Sequence, residues 1–189
     1  MPVLFARIPE ERLAVLIGPG GATKHGIEER TRTRIEIDPE DGEVRIASVE
    51  EGDPIGALLA RDLVLAIGRG FSPARADRLF RPDTYLGIID IKRVTGRREK
   101  ASLWRIRARL IGERGKARTR IEELSGASVS VYGGTVALIG RERELDSATR
   151  AVELLLRGSE HAAVFHMLAR SRREQAADEA IGPALPDEG

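Results

Sequence analysis

Apolar residues follow two different spacings along this chain, one typical of strands and one typical of helices. In the first half, alternation with polar residues predicts strands at 3–8, 34–38 and 43–49. A spacing of three to four residues predicts helices at 9–17, at 23–32 and from Pro54, after an Asp53 cap, to Gly68 or Gly70. We expect the buried stripe of this last helix to consist of Ile55, Leu58, Leu59, Leu63 and Ile67.

The second half repeats this succession. After a connection at 71–84, strands are predicted at 85–94, 127–132 and 135–139, and helices at 101–111, 116–124 and 144–156. Within 101–111, apolar Trp104, Ile106 and Leu110 alternate with arginines, which taken alone favours a strand. The matching segment of the first half is helical, so we predict a helix. A further helix at 161–180 has no counterpart in the first half.

The two halves are related by an internal repeat at a constant offset of 94 residues. Leu-Ile-Gly-x-x-Gly at 16–21 recurs at 110–115, and Ile-Glu-Glu at 27–29 recurs at 121–123. The repeat indicates duplication of one functional unit. We expect a first domain at 1–70, a linker at 71–84, a second domain at 85–160, the extra helix at 161–180 and a flexible tail at 181–189.

Each Gly-x-x-Gly lies between two predicted helices. Glycines allow a tight turn and the close approach of another backbone. The amides and the positive dipole end of the following helix point towards the turn, so this corner suits a phosphate group.

Charge is distributed unevenly, although the formal net charge is only +1. Residues 1–56 carry 12 acidic and 7 basic side chains, giving −5, whereas residues 91–127 carry 12 basic and 4 acidic ones, giving +8. This asymmetry favours a polyanion-binding surface in the second half. The absence of cysteine, of a signal peptide and of a membrane-length apolar stretch leads us to expect a cytoplasmic protein.

Catalytic interpretations find little support. A P-loop would need glycine at Leu110 and serine or threonine at Ala117. His161 and His166 are five apart, which is wrong for one helix face. The adjacent carboxylates Glu28 and Glu29 point apart on a helix and are expected to cover a solvated face. We expect a non-catalytic protein without a metal or cofactor.

The element order β-α-α-β-β-α, with Ile-Gly-x-x-Gly after the first helix, resembles the type I KH domain over residues 3–158. The resemblance implies an α+β fold of two tandem KH domains, each with a three-stranded antiparallel sheet and three helices, plus a C-terminal helix. It also implies binding of single-stranded RNA or DNA, because the family's loop clamps four nucleotides of backbone. The low aromatic content, 4%, agrees with an aliphatic groove rather than a stacking sheet.

The resemblance also implies which residues touch RNA. In the second copy they are the clamp Gly112, Glu113, Arg114 and Gly115, the cations Lys116 and Arg118, and the groove residues Ile111, Val129 and Val131. In the first copy they are Gly18, Pro19, Gly20 and Gly21, with Lys24, Ile17 and Ile35. The groove aliphatics have a core interpretation as well, and Arg105 and Arg109 either extend the phosphate track or solvate a helix.

Both copies depart from the usual loop, in which the middle residues are small or basic. Glu113 places an anion beside the phosphates, and Pro19 removes an amide donor. With acidic surroundings as well, the first copy is expected to bind weakly or to serve as a protein-docking or spacer domain.

Two KH domains in a short chain, with an arginine-rich second copy, resemble the archaeal relatives of the Pno/Krr ribosome-assembly proteins. This implies binding to small-subunit ribosomal RNA near its 3′ end, with a Nob-type endonuclease or the alpha subunit of initiation factor two as partners. The alternative is an adaptor whose main ligand is protein and whose KH folds are scaffolding.

Overall fold

The computed structural model describes residues 3–49, 54–97 and 100–181; the predicted cap Asp53 and the tail from residue 182 lie outside these ranges. The first copy consists of β1 (Val3–Arg7), α1 (Glu10–Ile17), α2 (Ala22–Thr31), β2 (Thr33–Ile37), β3 (Glu43–Ser48) and α3 (Pro54–Gly68). A short helix α4 (Pro73–Ala76) and a 3₁₀ turn (Asp77–Phe80) follow.

The second copy repeats the order and adds two helices. Its elements are β4 (Tyr85–Asp90), α5 (Ile91–Thr95), α6 (Lys100–Ile111), α7 (Lys116–Ser125), β5 (Ser128–Tyr132), β6 (Thr135–Gly140), α8 (Glu142–Leu156) and α9 (His161–Ile181). Each copy forms a three-stranded antiparallel sheet, in the orders β1-β3-β2 and β4-β6-β5. The expected α+β fold is confirmed.

The helix predicted at 101–111 is confirmed as α6. Leu110 is buried, and Leu103 and Ile106 pack against the same core. The alternation with arginine is therefore compatible with a helix, whose core contacts come from Leu103, Ile106 and Leu110.

The strand predicted at 85–94 is wrong beyond Asp90. The Asp90 carboxylate accepts a hydrogen bond from the Arg93 amide at 3.0 Å and caps α5. An aspartate cap supplies the acceptor that a first-turn amide lacks, so the chain turns into a helix there.

The stripe predicted for α3 is wrong at its N-terminal end. Ile55 and Leu58 are 74% and 43% exposed. Ala57 and Ala60 are buried instead, together with Leu63 further along the helix. Small side chains on the buried face allow the helix axis to lie close to the sheet, and hydrophobicity alone does not report this preference.

The outer face of the second sheet is buried, unlike that of the first. All six residues of β6 are buried, whereas exposed and buried side chains alternate along β3 up to Arg45. Ala137 and Ile139 belong to the core cluster of the first copy, which also contains Phe71 and Leu79 of the connecting segment. The core of the first copy therefore extends onto the outer face of the second sheet.

Polar contacts reinforce this junction. The Tyr132 hydroxyl donates to Glu11 Oε1 at 2.7 Å, and the Ser130 hydroxyl donates to the carbonyl of Arg69 at 2.9 Å. A Cβ on Gly70 would lie 2.7 Å from Ser130 Oγ, so glycine permits this close approach.

Helix α9 belongs to the second core, where Val164 and Leu168 are buried against α7 and α8. None of the helices in the described part of the chain combines the length and the apolar composition needed to cross a bilayer.

Candidate nucleic-acid interface

The two Gly-x-x-Gly turns have nearly the same backbone. Gly18 has φ 73° and ψ 176°, and Gly112 has φ 74° and ψ 175°. A Cβ on Gly112 would lie 2.7 Å from the Ala117 Cβ, so α6 and α7 meet too closely for any side chain there. The last glycine of each turn, Gly21 or Gly115, is left-handed and caps the next helix. The repeat therefore reproduces the turn itself.

Arg114 holds a left-handed backbone, with φ 52°, at the place where the first copy has Gly20, with φ 58°. This conformation costs a non-glycine residue on the order of 1–2 kcal/mol. Strained residues of this kind cluster at ligand-binding sites. The position therefore retains an exposed cation at an energetic cost.

The second turn is open to a ligand. Glu113, Arg114 and Lys116 are exposed, and Arg118 is half-buried. Because the capping residue Gly115 has no side chain, the first amides of α7 receive no side-chain cap. The N-terminal end of a helix dipole, without a side-chain cap, and several cations thus converge on one turn, an arrangement that suits a phosphate.

The first turn has weaker chemistry. Its cation, Lys24, places Nζ 2.8 Å from Glu28 Oε1, so its charge is already paired. Pro19 is exposed and has no amide to donate.

Glu28 and Glu122 are structural residues in both copies. The Glu28 carboxylate accepts a hydrogen bond from the Ile35 amide at 2.7 Å, and Glu122 accepts one from the Val129 amide at 2.6 Å. Burial alone would raise the pKa of Glu28, but hydrogen bonds from Lys24 and the Ile35 amide leave it lowered. The expected solvated face is therefore wrong for Glu28, whose side chain is only 17% exposed.

Glu29 and Glu123, the neighbours of those two carboxylates, are exposed as expected.

The predicted groove residues differ in exposure. Ile17 is 40% exposed and Ile111 is half-buried, each directly before its turn, and Val131 on β5 is half-buried. Ile35 and Val129 are only 2% and 1% exposed. The side chains of these two residues are buried beneath the surface. The contact of all five residues with bases stays a prediction.

Arg75 and Arg78, which the sequence analysis missed, tie the connecting segment to the second copy. Arg75 forms an ion pair with Glu122 and donates to the Val129 carbonyl at 3.4 Å. Arg78 donates to the Gly126 carbonyl at 2.7 Å and to Glu144 Oε2 at 2.6 Å. The signal in the sequence was a pair of arginines, three residues apart, in the short connecting segment.

Arg109 caps a helix end. Its guanidinium donates to the carbonyls of Gly158, at 3.2 Å, and of Ser159, while the His161 ring contacts the Arg109 carbonyl at 2.9 Å. Arg109 thus binds the backbone at the C-terminus of α8, where cations are favourable. Arg105 is exposed and stays a candidate for phosphate contact.

Comparison with family models matches both copies. Residues 4–66 match the KH domain. Residues 85–173 match the eukaryotic-type KH domain, a type I KH domain, in the form of the second KH domain of PNO1.

Similar proteins cover most of the chain. A KH domain-containing protein of Methanocaldococcus jannaschii is 43% identical over 169 residues, which span 89% of this chain and 73% of that protein. The crystal structure of Dim2p from Pyrococcus horikoshii has 50% identity and a TM-score of 0.84, covering 90% of this chain and 99% of that one.

A second structure from Pyrococcus horikoshii, the a/eIF2alpha–aDim2p–rRNA complex, matches with 49% identity and a TM-score of 0.85 over 92% of this chain and 95% of that one. The chain therefore belongs to the KH-domain proteins and carries two KH domains in tandem, the second of the PNO1 type.

Proposed function

We propose that this protein is a ribosome-assembly factor that binds single-stranded RNA near the 3′ end of small-subunit ribosomal RNA, in the cytoplasm and without catalysis. The observation that carries the proposal is the open turn at 112–115, where the exposed cations Arg114 and Lys116 lie at the N-terminus of α7, which has no side-chain cap. The similarity to aDim2p, described in a complex with rRNA and a/eIF2alpha, supports ribosomal RNA as the ligand class.

The second domain makes the main contribution to RNA binding. Its turn carries Arg114 and is followed by Lys116 and Arg118, and Glu113 is the one acid in the turn. The first turn has no charged residue, and Lys24 behind it is paired with Glu28. Electrostatic attraction to phosphate is therefore concentrated at residues 113–118.

Fluorescence anisotropy with a labelled fragment of the small-subunit rRNA 3′ end tests the proposal. We expect affinity to fall by about 0.7 log unit per tenfold rise in salt for each phosphate contact. Replacing Glu113 and Arg114 together with aspartate should weaken binding much more than the matched replacement of Pro19 and Gly20. Equal losses from both pairs would contradict the ranking of the two domains, and equal affinity for a shuffled fragment would contradict the 3′-end assignment.

The competing function is a protein adaptor for the alpha subunit of initiation factor two or for a Nob-type endonuclease. The excess of acidic residues in the first copy and its uncovered outer sheet face favour it. Titration of each purified partner, with and without the RNA fragment, separates the two functions. Partner binding that is independent of RNA, combined with weak RNA affinity of the protein alone, would favour the adaptor.

A further inference from the structure

We propose that Trp104 is a stacking platform for a nucleobase adjacent to the four nucleotides held at the second turn; this inference rests on the proposed RNA-binding function. Trp104 lies on α6 and is 68% exposed. An indole left this far in water forgoes a large burial gain, and its faces are available to a ligand.

Helical geometry places Trp104 on the groove side of α6. Trp104, Arg107 and Ile111 are spaced i, i+3 and i+7 and share one face, since seven residues complete nearly two turns. Leu103 and Leu110 occupy the neighbouring face and pack into the core. Ile111 immediately precedes the turn, so Trp104 extends the same face by about 10 Å, at 1.5 Å per residue.

Helix α6 packs against β5, the strand that ends at Tyr132. Burial and the hydrogen bond to Glu11 raise the pKa of Tyr132, while the charges of Arg12 and Arg107 act in the opposite direction. Arg107 therefore lies close enough to act on Tyr132, between Trp104 and Ile111 along the helix. A cation of α6 therefore lies between the indole and the turn along the helix.

The charge of α6 selects the ligand class. Lys100–Ile111 has no acidic residue and carries four cations, Lys100, Arg105, Arg107 and Arg109. A flat aromatic ring among cations fits a ligand that combines phosphates with π-faces, which describes single-stranded nucleic acid. Arginines beside the ring contribute to binding the phosphate of the stacked nucleotide.

Trp104 is the one tryptophan of the chain, so intrinsic fluorescence reports on this site directly. We would titrate the full chain with fragments of the small-subunit rRNA 3′ end, four and about eight nucleotides long, since the clamp alone holds four. The longer strand should quench the fluorescence, and Trp104→Ala should weaken its binding by about 5-fold or more, the range expected for one stacked base. Binding of the tetranucleotide should be unchanged.

Two further variants make the test specific. Trp104→Phe should retain most of the affinity, whereas Trp104→Leu, which preserves apolar bulk without a π-system, should lose it. Phe5→Ala, which truncates an aromatic residue 56% exposed on the first sheet, is the matched control and should leave RNA binding unchanged.

The outcomes separate this inference from the proposed function. If the wild-type chain fails to bind either RNA, the RNA-binding function falls and the inference falls with it. If both RNAs bind but Trp104→Ala matches the wild type for the longer one, only the stacking platform is overturned. Loss of binding to the purified initiation factor alpha subunit in Trp104→Ala, with RNA affinity intact, overturns it in favour of a protein contact.

Discussion

The Tyr132 hydroxyl donates a hydrogen bond to the Glu11 carboxylate at 2.7 Å, linking the end of β5 in the second copy to the first turn of α1 in the first. The two residues are 121 positions apart in the chain. This contact lowers the pKa of Glu11, with the Tyr132 hydroxyl as its main cause. The hydrogen bond from the neutral Tyr132 hydroxyl stabilises the ionised form of Glu11. The contact between the two copies therefore depends on pH.

Tyr132→Phe should make stability less sensitive to acid. A carboxyl whose pKa is lowered by folding stabilises the folded chain above its ordinary value of 4.5, and this contribution is lost as the pH falls through the lowered value. The wild-type thermal midpoint should therefore drop more steeply than that of the variant between about pH 5 and pH 3. Tyr85→Phe, at an exposed tyrosine on β4, is the control and should follow the wild-type curve.

Arg75→Ala should destabilise the chain by about 1–2 kcal/mol, a range discounted because Arg75 is 37% exposed. The variant leaves Glu122 without its cation and the Val129 carbonyl without a donor. Urea unfolding measures the change. Arg45→Ala breaks an ion pair in which both side chains are more than half exposed, so its effect should stay within about 0.5 kcal/mol. Similar values for the two variants would argue against an architectural role of the connecting segment.

Arg114→Gly should move stability and RNA affinity in opposite directions. Relief of the left-handed backbone contributes about 1–2 kcal/mol, and the added freedom of glycine in the unfolded chain costs about 0.5–1 kcal/mol. The net change should be a gain of up to about 1.5 kcal/mol, while RNA binding weakens because a cation is removed. Arg120→Gly, in the exposed interior of α7, should instead lose about 1 kcal/mol. Urea unfolding and anisotropy on the same samples check both signs.

Arg105→Ala and Arg109→Ala should separate binding from folding. Arg109 is engaged with the carbonyls at the end of α8, so its removal should lower the free energy of unfolding by about 1–2 kcal/mol. Arg105 is exposed, so its removal should leave stability nearly unchanged and reduce the salt slope of RNA binding by about 0.7 for each phosphate that it neutralises. A reversed pattern would assign the phosphate interaction to Arg109.

The sequence predicted the turns well because their chemistry is local. Gly18 and Gly112 need a positive φ and the absence of a Cβ, and residues close by in the sequence create both requirements. The repeat also resolved α6, whose alternation alone indicated a strand. Duplication supplies a second, independent view of the same structure, and the two views agreed on the helix.

Residues that act across the fold were harder to recognise. Glu28 and Glu122 looked like solvated carboxylates, because their partners, the amides of Ile35 and Val129, come close only when each helix folds back on its strand. The exposure of Ile55 likewise depended on how closely α3 approaches its sheet. Neither the partners of these carboxylates nor the exposure of Ile55 can be read from the hydrophobicity pattern of a single element.

The burial of β6 on both faces has a consequence for how the chain can be divided. Cutting it near residue 84 would leave Ala137 and Ile139 facing water on one fragment, and Phe71 and Leu79 facing water on the other. Each half would then expose an apolar patch to water, and we expect it to aggregate when expressed alone. We therefore expect the two copies to fold as one cooperative unit rather than separately.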